Sequence, residues 1–357
     1  MISLPFKKKP STISIDVGSS LIKVVEIEHS EQIPRIVHFG ISKLLPEAIV
    51  EDEIMDRNLV VETISECVDK SGITGKNVVS AVSGRAVIVK KIVMDKMTAE
   101  DAAEAIFWEA EQHVPFDIDD VCLDFQILDE DIGANQMEVL LVAAKKDMVT
   151  DYAELIRDAG LNPEIIDVDS FALQNSFEEN YTSSEEEEDE VVGLVNIGSD
   201  VTNINIIQND SPHFTRDISV GTSSFIEELQ KEQGLDYEEA LRVVRGDLGD
   251  IDEESVKEIF RKKAKELSLG IERSISFLKA AGDADKIDKI ILSGGGARLP
   301  FLQEILSDKH DIEFLIHNPL SQIDFDEGIF TEYGEDLNEI APLLTVGIGL
   351  ALRKAGE

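Results

Sequence analysis

Asp16, Gly18, Ser19, Ser20 and Lys23 sit in one short stretch of the chain, in the pattern Asp-x-Gly-Ser-Ser-x-x-Lys. Residues of these types at this spacing can hold a phosphate. Backbone N–H groups around a tight Gly18-Ser19-Ser20 turn form a concavity for an anion, and Lys23 adds a point charge. Asp16 can orient a hydrated Mg2+, which usually keeps several of its waters. Taken singly the cluster reads equally well as an ordinary edge hairpin. A second cluster gives it weight: Asn196, Gly198 and Thr202 lie 180 residues further on, Asn196 counted from Asp16. A third, Ser293-Gly294-Gly295-Gly296, lacks the Cβ atoms that keep backbone from lying flat on a ligand. The P-loop spacing G-x-x-x-x-G-K-[ST] is absent.

The elements around these residues follow from periodicity. Ile13–Ile27 alternates as a strand, turns, and returns as a second strand; Val191–Ile207 does the same. Gln32–Ser42 reads as a third strand, Arg57–Lys70 as a helix stopped by Ser71-Gly72, and Val78–Val82 as a buried strand. From Arg85 an inserted α+β unit is expected: a strand Val87–Val93, then a helix Ala99–His113 capped by Thr98 and ended by Pro115. Strands Val121–Leu128 and Met137–Ala144 complete it, joined by an acidic turn Asp129–Asn135. Asp147–Gly160 is a helix, Glu164–Val168 a strand, and a further helix starts near Phe171. Tyr181–Glu190 (YTSSEEEEDE) reads as a solvated loop between half-domains. The second half continues with a strand His213–Val220, helices to Gln230, over Asp236–Arg245 and over Glu253–Ala280, a strand Lys289–Leu292 and a helix Leu299–Ser307. Pro342–Arg353 closes the chain as a helix whose Gly347 and Gly349 imply close backbone packing.

Composition narrows the function classes. The net charge of −40, from 73 acidic against 33 basic residues, argues against nucleic acid and against adsorption to an anionic membrane. Cys67 and Cys122 lack metal-ligand spacing and read as buried thiols of a reducing cytoplasm. The six histidines form no H-E-x-x-H cluster, and no apolar run approaches the ~18 residues of a spanning helix. The leader Met1–Ser11, with Lys7-Lys8-Lys9, has no hydrophobic segment after it, which argues against a signal peptide, and it reads as a frayed terminus rather than a docking segment.

Three such clusters in this order resemble the actin/Hsp70/hexokinase ATPase superfamily. The resemblance implies an α/β, actin-like (ribonuclease H-like) two-lobed fold. An α+β insertion in the first lobe is similar to that of FtsA. The stretches Glu109–Phe116 (EAEQHVPF), Asp124-Phe125-Gln126, Phe214–Ile218 (FTRDI), Ser293–Ala297 and Val346–Arg353, with Phe6–Lys9 in the leader, are similar to the PilM family of type IV pilus assembly proteins over nearly the full length. An FtsA-type protein would carry a further amphipathic membrane helix, whereas this chain ends at Glu357 directly after Leu352-Arg353-Lys354. The domain organisation expected on this basis is 1–84 (subdomain 1A), 85–163 (inserted subdomain 1C), 164–190 (return of 1A with the acidic linker), 191–230 (2A), 231–282 (2B) and 283–357 (return of 2A with the closing helix).

The resemblance also implies roles. ATP and Mg2+ are the expected ligands, with Ser19 and Lys23 at the β- and γ-phosphates and Asp16 ordering Mg2+ through water. Gly18 and Ser20 complete the first loop, and Gly198 and Thr202 the opposing one. Gly294, Gly295 and Gly296 pack beside the adenosine. Glu239 and Arg242 match positions facing ribose and adenine, and equally suit a solvent-facing helix ion pair. Asp169, at the start of Asp169-Ser170-Phe171-Ala172, is a candidate for positioning the attacking water and equally for a helix N-cap. Relatives open the second loop with aspartate where this chain has Asn196, and Thr222 stands where a second glycine is usual. The amide implies ATP binding with slow or absent hydrolysis, and Asn196→Asp is expected to raise turnover. The implied partner is the N-terminal cytoplasmic peptide of a PilN-type inner-membrane protein. It would lie in a groove between the first half-domain and the insertion. Ala105, Trp108, His113, Val114, Pro115 and Phe116 are placed near that surface or, on the alternative, in the insertion's own core. Other pilus platform proteins, the pilus motor ATPases and self-association remain open as further contacts, and a cytoplasmic location beneath the inner membrane is implied. An active ATPase or a filament-forming FtsA/actin-like protein is the competing reading.

Overall fold

The computed structural model describes residues 10–29, 33–50, 53–181, 190–209, 211–281, 286–326, 328–330 and 337–354. Lys7-Lys8-Lys9 of the leader, residues 182–189 of the acidic run and the last three residues lie outside the described residues.

Strands β1 (Ser11–Val17), β2 (Leu21–Glu28) and β3 (Arg35–Lys43) form a meander, followed by the short pair β4 (Ile49–Val50) and β5 (Glu53–Ile54). Helix α1 (Arg57–Ser71) is capped by Asp56, whose carboxylate accepts from Leu59 N–H, and ends on Gly72 at φ 74°. It crosses back to β6 (Asn77–Val82), parallel to β1. The insertion follows: β7 (Val87–Asp95), α2 (Ala99–His113), β8 (Val121–Gly133) and β9 (Gln136–Lys145), in sheet order β7-β9-β8. Thr98 accepts from Asp101 N–H at the start of α2, as its sequence requires. Helix α3 (Lys146–Asp158) leads to β10 (Asn162–Val168) and α4 (Asp169–Asn180).

The second lobe repeats the plan: β11 (Val192–Ile197), β12 (Thr202–Gln208), β13 (Ser211–Ile218), helices α5 (Thr222–Gln233), α6 (Tyr237–Val244) and α7 (Glu253–Ala281), then β14 (Lys289–Ser293), α8 (Leu302–Lys309) and β15 (Glu313–Ile316). Strand β16 (Asp324–Phe325) returns to the first sheet, and α9 (Leu337–Ile340), a 3-10 turn and α10 (Thr345–Leu352) close the chain. The first sheet runs β10-β6-β1-β2-β3-β16 and the second β15-β14-β11-β12-β13. Apart from β16 the two have the same order and the same strand directions: two antiparallel pairings, then two parallel ones. Helices α4 and α10 fill the space between the sheets, where Ala172, Leu173, Val346 and Leu350 meet Leu194, Val192 and Ile291.

One expectation changes. The acidic segment Asp129–Asn135 is not a turn: β8 continues through Gly133, and the tip is Ala134–Asn135, both at positive φ (54° and 60°). That two-residue geometry matches the twist of the flanking strands, and register shifts at Ile127/Asp129 and Asp129/Gly133 absorb the irregular pairing.

His317, just after β15, is buried against α4, with Nε2 3.0 Å from Ser176 Oγ and its ring stacked on Tyr181 at 5.7 Å. Burial pushes its pKa down to about 4. The unfolded chain therefore takes up a proton that the native state refuses. The stability is intact above pH 6.5 and declines as pH falls towards about 4, by at most roughly 3 kcal/mol. Urea unfolding of the protein and of His317→Gln between pH 7 and pH 4.5 checks this. The variant is expected to lose less stability over that range, and parallel curves would contradict the assignment.

Candidate functional site

The two hairpins close in the same way. Gly18 N–H donates to Leu21 O at 3.1 Å, and Gly198 N–H donates to Val201 O at 2.9 Å. They face each other across a cleft between the lobes lined by Asp16, Gly18, Ser19, Ser20 and Lys23 on one side and Asn196, Gly198, Ser199 and Asp200 on the other. Asp169, Thr222, Gly294 and Gly295 close it. Asp16 and Lys23 are directly opposed across β1 and β2, with Nζ 2.6 Å from Oδ2, both largely buried. A phosphate entering here meets a lysine already positioned by its carboxylate. The second loop is pinned by the start of α5. Thr222 N–H donates to Gly198 O (3.0 Å), Ser223 N–H to Ser199 O (2.9 Å), and Ser223 Oγ to Asp200 Oδ1 (2.7 Å). Gly221 permits this approach, because a Cβ there would run into the carbonyl of Ser199. Gly294, at φ 77°, has Ile197 O and Asn196 Oδ1 where a Cβ would stand, so only glycine lets the third loop lie on β11.

Asn196 belongs to a row of side chains crossing the second sheet. Ser293, Asn196, Asn203 and Asp217 are register neighbours on β14, β11, β12 and β13. Ser293 Oγ donates to Asn196 Oδ1 (3.3 Å), Asn196 Nδ2 to Asn203 Oδ1 (3.1 Å), and Asn203 Nδ2 to Asp217 Oδ1 (2.9 Å). The other oxygen of Asp217 accepts from Gly84 N–H at 2.5 Å, at the root of the insertion. Burial pushes the Asp217 carboxyl upward, against the bonds from Asn203 and Gly84.

Four residues expected at the ligand stand elsewhere. Thr202 is fully buried beneath the loop and donates to Val220 O (2.6 Å). Gly296 packs on Ile197 instead of facing the cleft. Glu239 closes a capping box with Asp236: its carboxylate accepts from Asp236 N–H (2.9 Å), and its own N–H donates to Asp236 Oδ1 (2.8 Å). Arg242, one turn on, is exposed outside the cleft. Asp169 is the first residue of α4, not its N-cap, which is Val168. There its charge suits the helix N-terminus, and it faces the cleft. Asn203 escaped the sequence reading, although the spacing Asn196–Asn203 repeats Asp16–Lys23 and could have revealed it.

The partner residues are also placed differently from expectation. Helix α2 covers one face of the insertion's sheet through Ala102, Ile106, Ala110 and Val114, with Ala105 and Phe116 packed at its edge. Trp108 is 71% exposed, Pro115 is exposed, and His113 lies 3.2 Å from Lys90 Nζ. None of them lines the groove between the insertion and the first lobe. Strand alternation explains this: Leu123, Phe125 and Ile127 of β8 point to α2, so Cys122, Asp124 and Gln126 point to the groove. Cys122 is for that reason exposed, against the expectation of a buried thiol, while Cys67 is buried. The groove encloses about 1010 Å3 and adds Leu140, Val142 and Ala144 of β9, Ile165 and Asp167 of β10, and Phe171, Glu178 and Glu179 of α4. Both strands bordering it, β8 and β10, are sheet edges among the described residues.

The sequence pattern of the family described as "Type IV pilus assembly protein PilM" matches residues 14–355. The chain belongs to the PilM family. A chain of the solved PilM–PilN type IV pilus biogenesis complex is 28% identical to it, with 96% of this chain and 98% of that one covered and a TM-score of 0.82. Two further structures carry the fold alone. The ethanolamine utilization protein EutJ from Carboxydothermus hydrogenoformans (15% identity, 98% and 90% covered) has a TM-score of 0.57. MreB5 of Spiroplasma citri bound to AMPPNP (12% identity, 97% and 95% covered) has a TM-score of 0.52. The two-lobed architecture of this PilM-family chain is therefore actin-like. No helix among the described residues is long and apolar enough to cross a membrane. Nor do the described residues hold a group of three or more His, Cys, Asp or Glu side chains placed to bind a metal ion. Asp16, Asp169 and Asp200 are the carboxylates among the residues lining the cleft.

Proposed function

We propose that this PilM-family chain holds Mg-ATP between its lobes with little or no hydrolysis and binds the N-terminal cytoplasmic peptide of a PilN-type inner-membrane protein in the insertion groove. It would serve as an adaptor in type IV pilus assembly. The observation that carries the reading is the groove. An extended peptide can add to either bordering edge strand and seat alternate side chains between β9 and α4. Asp124, Glu178 and Glu179 favour basic side chains there, beside apolar contacts from Val142 and Phe171. Asp16, Lys23 and the three glycine loops support the nucleotide half. Bound ATP would supply the negative charge that Lys23 meets, and Asn196 removes a carboxylate that could share Mg2+ or orient water. At about 130 Å3 the cleft is below the roughly 300–1,000 Å3 of ligand pockets, so ATP entry requires the lobes to part.

Calorimetric titration of a PilN-type N-terminal peptide tests the groove. Val142→Arg, in its floor, is expected to weaken binding about 50-fold or more, while Trp108→Ala on the opposite face leaves affinity unchanged. The reverse pattern would move the partner to α2.

A further inference from the structure

Asp217 lies outside the cleft, yet it terminates a line of side chains that begins at the third glycine loop. Its chemistry sets the direction of every bond in that line. A carboxylate only accepts, so Asn203 must present its Nδ2 to Asp217 and its Oδ1 to Asn196. Asn196 must then donate through Nδ2, which leaves its own Oδ1 to the Ser293 hydroxyl. An aspartate at 196 would put acceptors on both sides of Asn203, and the row could not be satisfied. The amide at 196 is therefore the counterpart of the carboxylate at 217. The internal repeat shows the difference between the lobes: in the first, Asp16 faces Lys23, and in the second, Asn196 faces Asn203.

The far end of the row is an inter-lobe contact. Asp217 accepts from Gly84, where β6 ends and the insertion begins, and the contact does not stand alone. Arg85 donates to Ser219 Oγ (2.8 Å), Lys91 Nζ approaches His213 Nδ1 (3.4 Å), and Thr215 Oγ1 donates to Val89 O (3.5 Å). Strand β13 of the second lobe is thereby tied along β7, the first strand of the insertion. We propose that Asn196 and Asp217 act as one unit, a polar row that links the phosphate loop of the second lobe to the root of the insertion, so that an occupant of the cleft is sensed at the groove. The regulatory half rests on the reading given under Proposed function. An occupant that parts the lobes must shift the loop at Asn196 relative to Gly84, and the row is the side-chain path between them.

Hydrogen exchange of the segment Gly84–Val89, followed by mass spectrometry on the full chain, tests the proposal through Asn196→Asp, Asp217→Asn and the double variant. In nucleotide-free protein, Asn196→Asp leaves Asn203 between two carboxylates and is expected to speed exchange about tenfold or more. Asp217→Asn allows the whole row to reverse, with Ser293 accepting, and loses only charge assistance, about threefold or less. The double variant again holds one carboxylate and one consistent direction, so it is expected to match Asp217→Asn rather than Asn196→Asp. A harmless Asn196→Asp, or a double variant as fast as that single one, overturns the row. Mg-ATP is expected to change exchange of the same segment in the unmodified protein and the double variant, and not in Asn196→Asp. If calorimetry shows Mg-ATP bound and the segment does not respond, the coupling is wrong. If calorimetry shows no binding, the nucleotide reading falls and takes the coupling with it, while the nucleotide-free comparison still judges the row.

Discussion

Lys23→Met is expected to weaken ATP binding by between about 30-fold and several thousand-fold, with or without Mg2+. The lysine is held against Asp16 with little exposure, Nζ 2.6 Å from Oδ2. Removing it takes away the cation that meets the phosphates and leaves a carboxylate facing them uncompensated. Truncating one partner of a buried hydrogen-bonded charge pair costs about 2–5 kcal/mol, which gives that range of affinities. Asp16→Asn should behave differently. It removes the group that orients Mg2+ and frees Lys23, so binding of ATP without metal is retained or improved while the gain on adding Mg2+ shrinks. Calorimetry with Mg2+ and with a chelator separates the two. Equal losses in both variants under both conditions would mean that the pair is only a structural brace between β1 and β2.

Gly349→Ala is expected to destabilise the protein by about 3 kcal/mol or more, at the upper end of overpacking effects. A Cβ at this position would drive into the carbonyl oxygen of Ala172 in α4, and backbone cannot rotate away. The two helices would have to separate along the wall that joins the lobes, where Ser14 Oγ also donates to Gly347 O at 2.6 Å. Gly347→Ala, two residues earlier in α10, is the control. Its added carbon would meet Val25 Cγ2 at 3.4 Å, an ordinary contact, and alanine favours the helix by roughly 1 kcal/mol. Thermal unfolding of the pair should therefore give shifts of very different size, with Gly347→Ala near neutral. Similar midpoints for both would contradict the packing described for α10 and α4.

The parts of the fold written in local chemistry were legible in the sequence. Thr98 and Asp101 announce the start of α2, Gly72 announces the end of α1, and the glycine turns at Gly18 and Gly198 announce the hairpins. The elements that escaped are set by context. Strand β8 runs on through Asp129–Gly133 because pairing with β9 outweighs the poor strand propensity of its acidic residues. Strands β15 and β16 are too short to show a period. Asp16, Gly18, Ser19, Ser20 and Lys23 line the cleft together, because one hairpin carries them all. Glu239 matched a position that the resemblance places at the ribose, but Asp236-x-x-Glu239 is also a capping box, and the local bond prevailed. The groove was expected between the first half-domain and the insertion, but its lining could not be read. Its walls come from β8, β9, β10 and α4, and which face of β8 meets it depends on where α2 packs. Asp217 was invisible for the same reason, since its meaning lies in neighbours on three other strands.

The most direct measurement is calorimetric titration of Mg-ATP onto the nucleotide-stripped protein, with the nucleotide analysed after incubation. Saturable binding of one ATP per chain is expected, with that nucleotide recovered largely as ATP. Absence of binding, or rapid metal-dependent conversion to ADP, would contradict it.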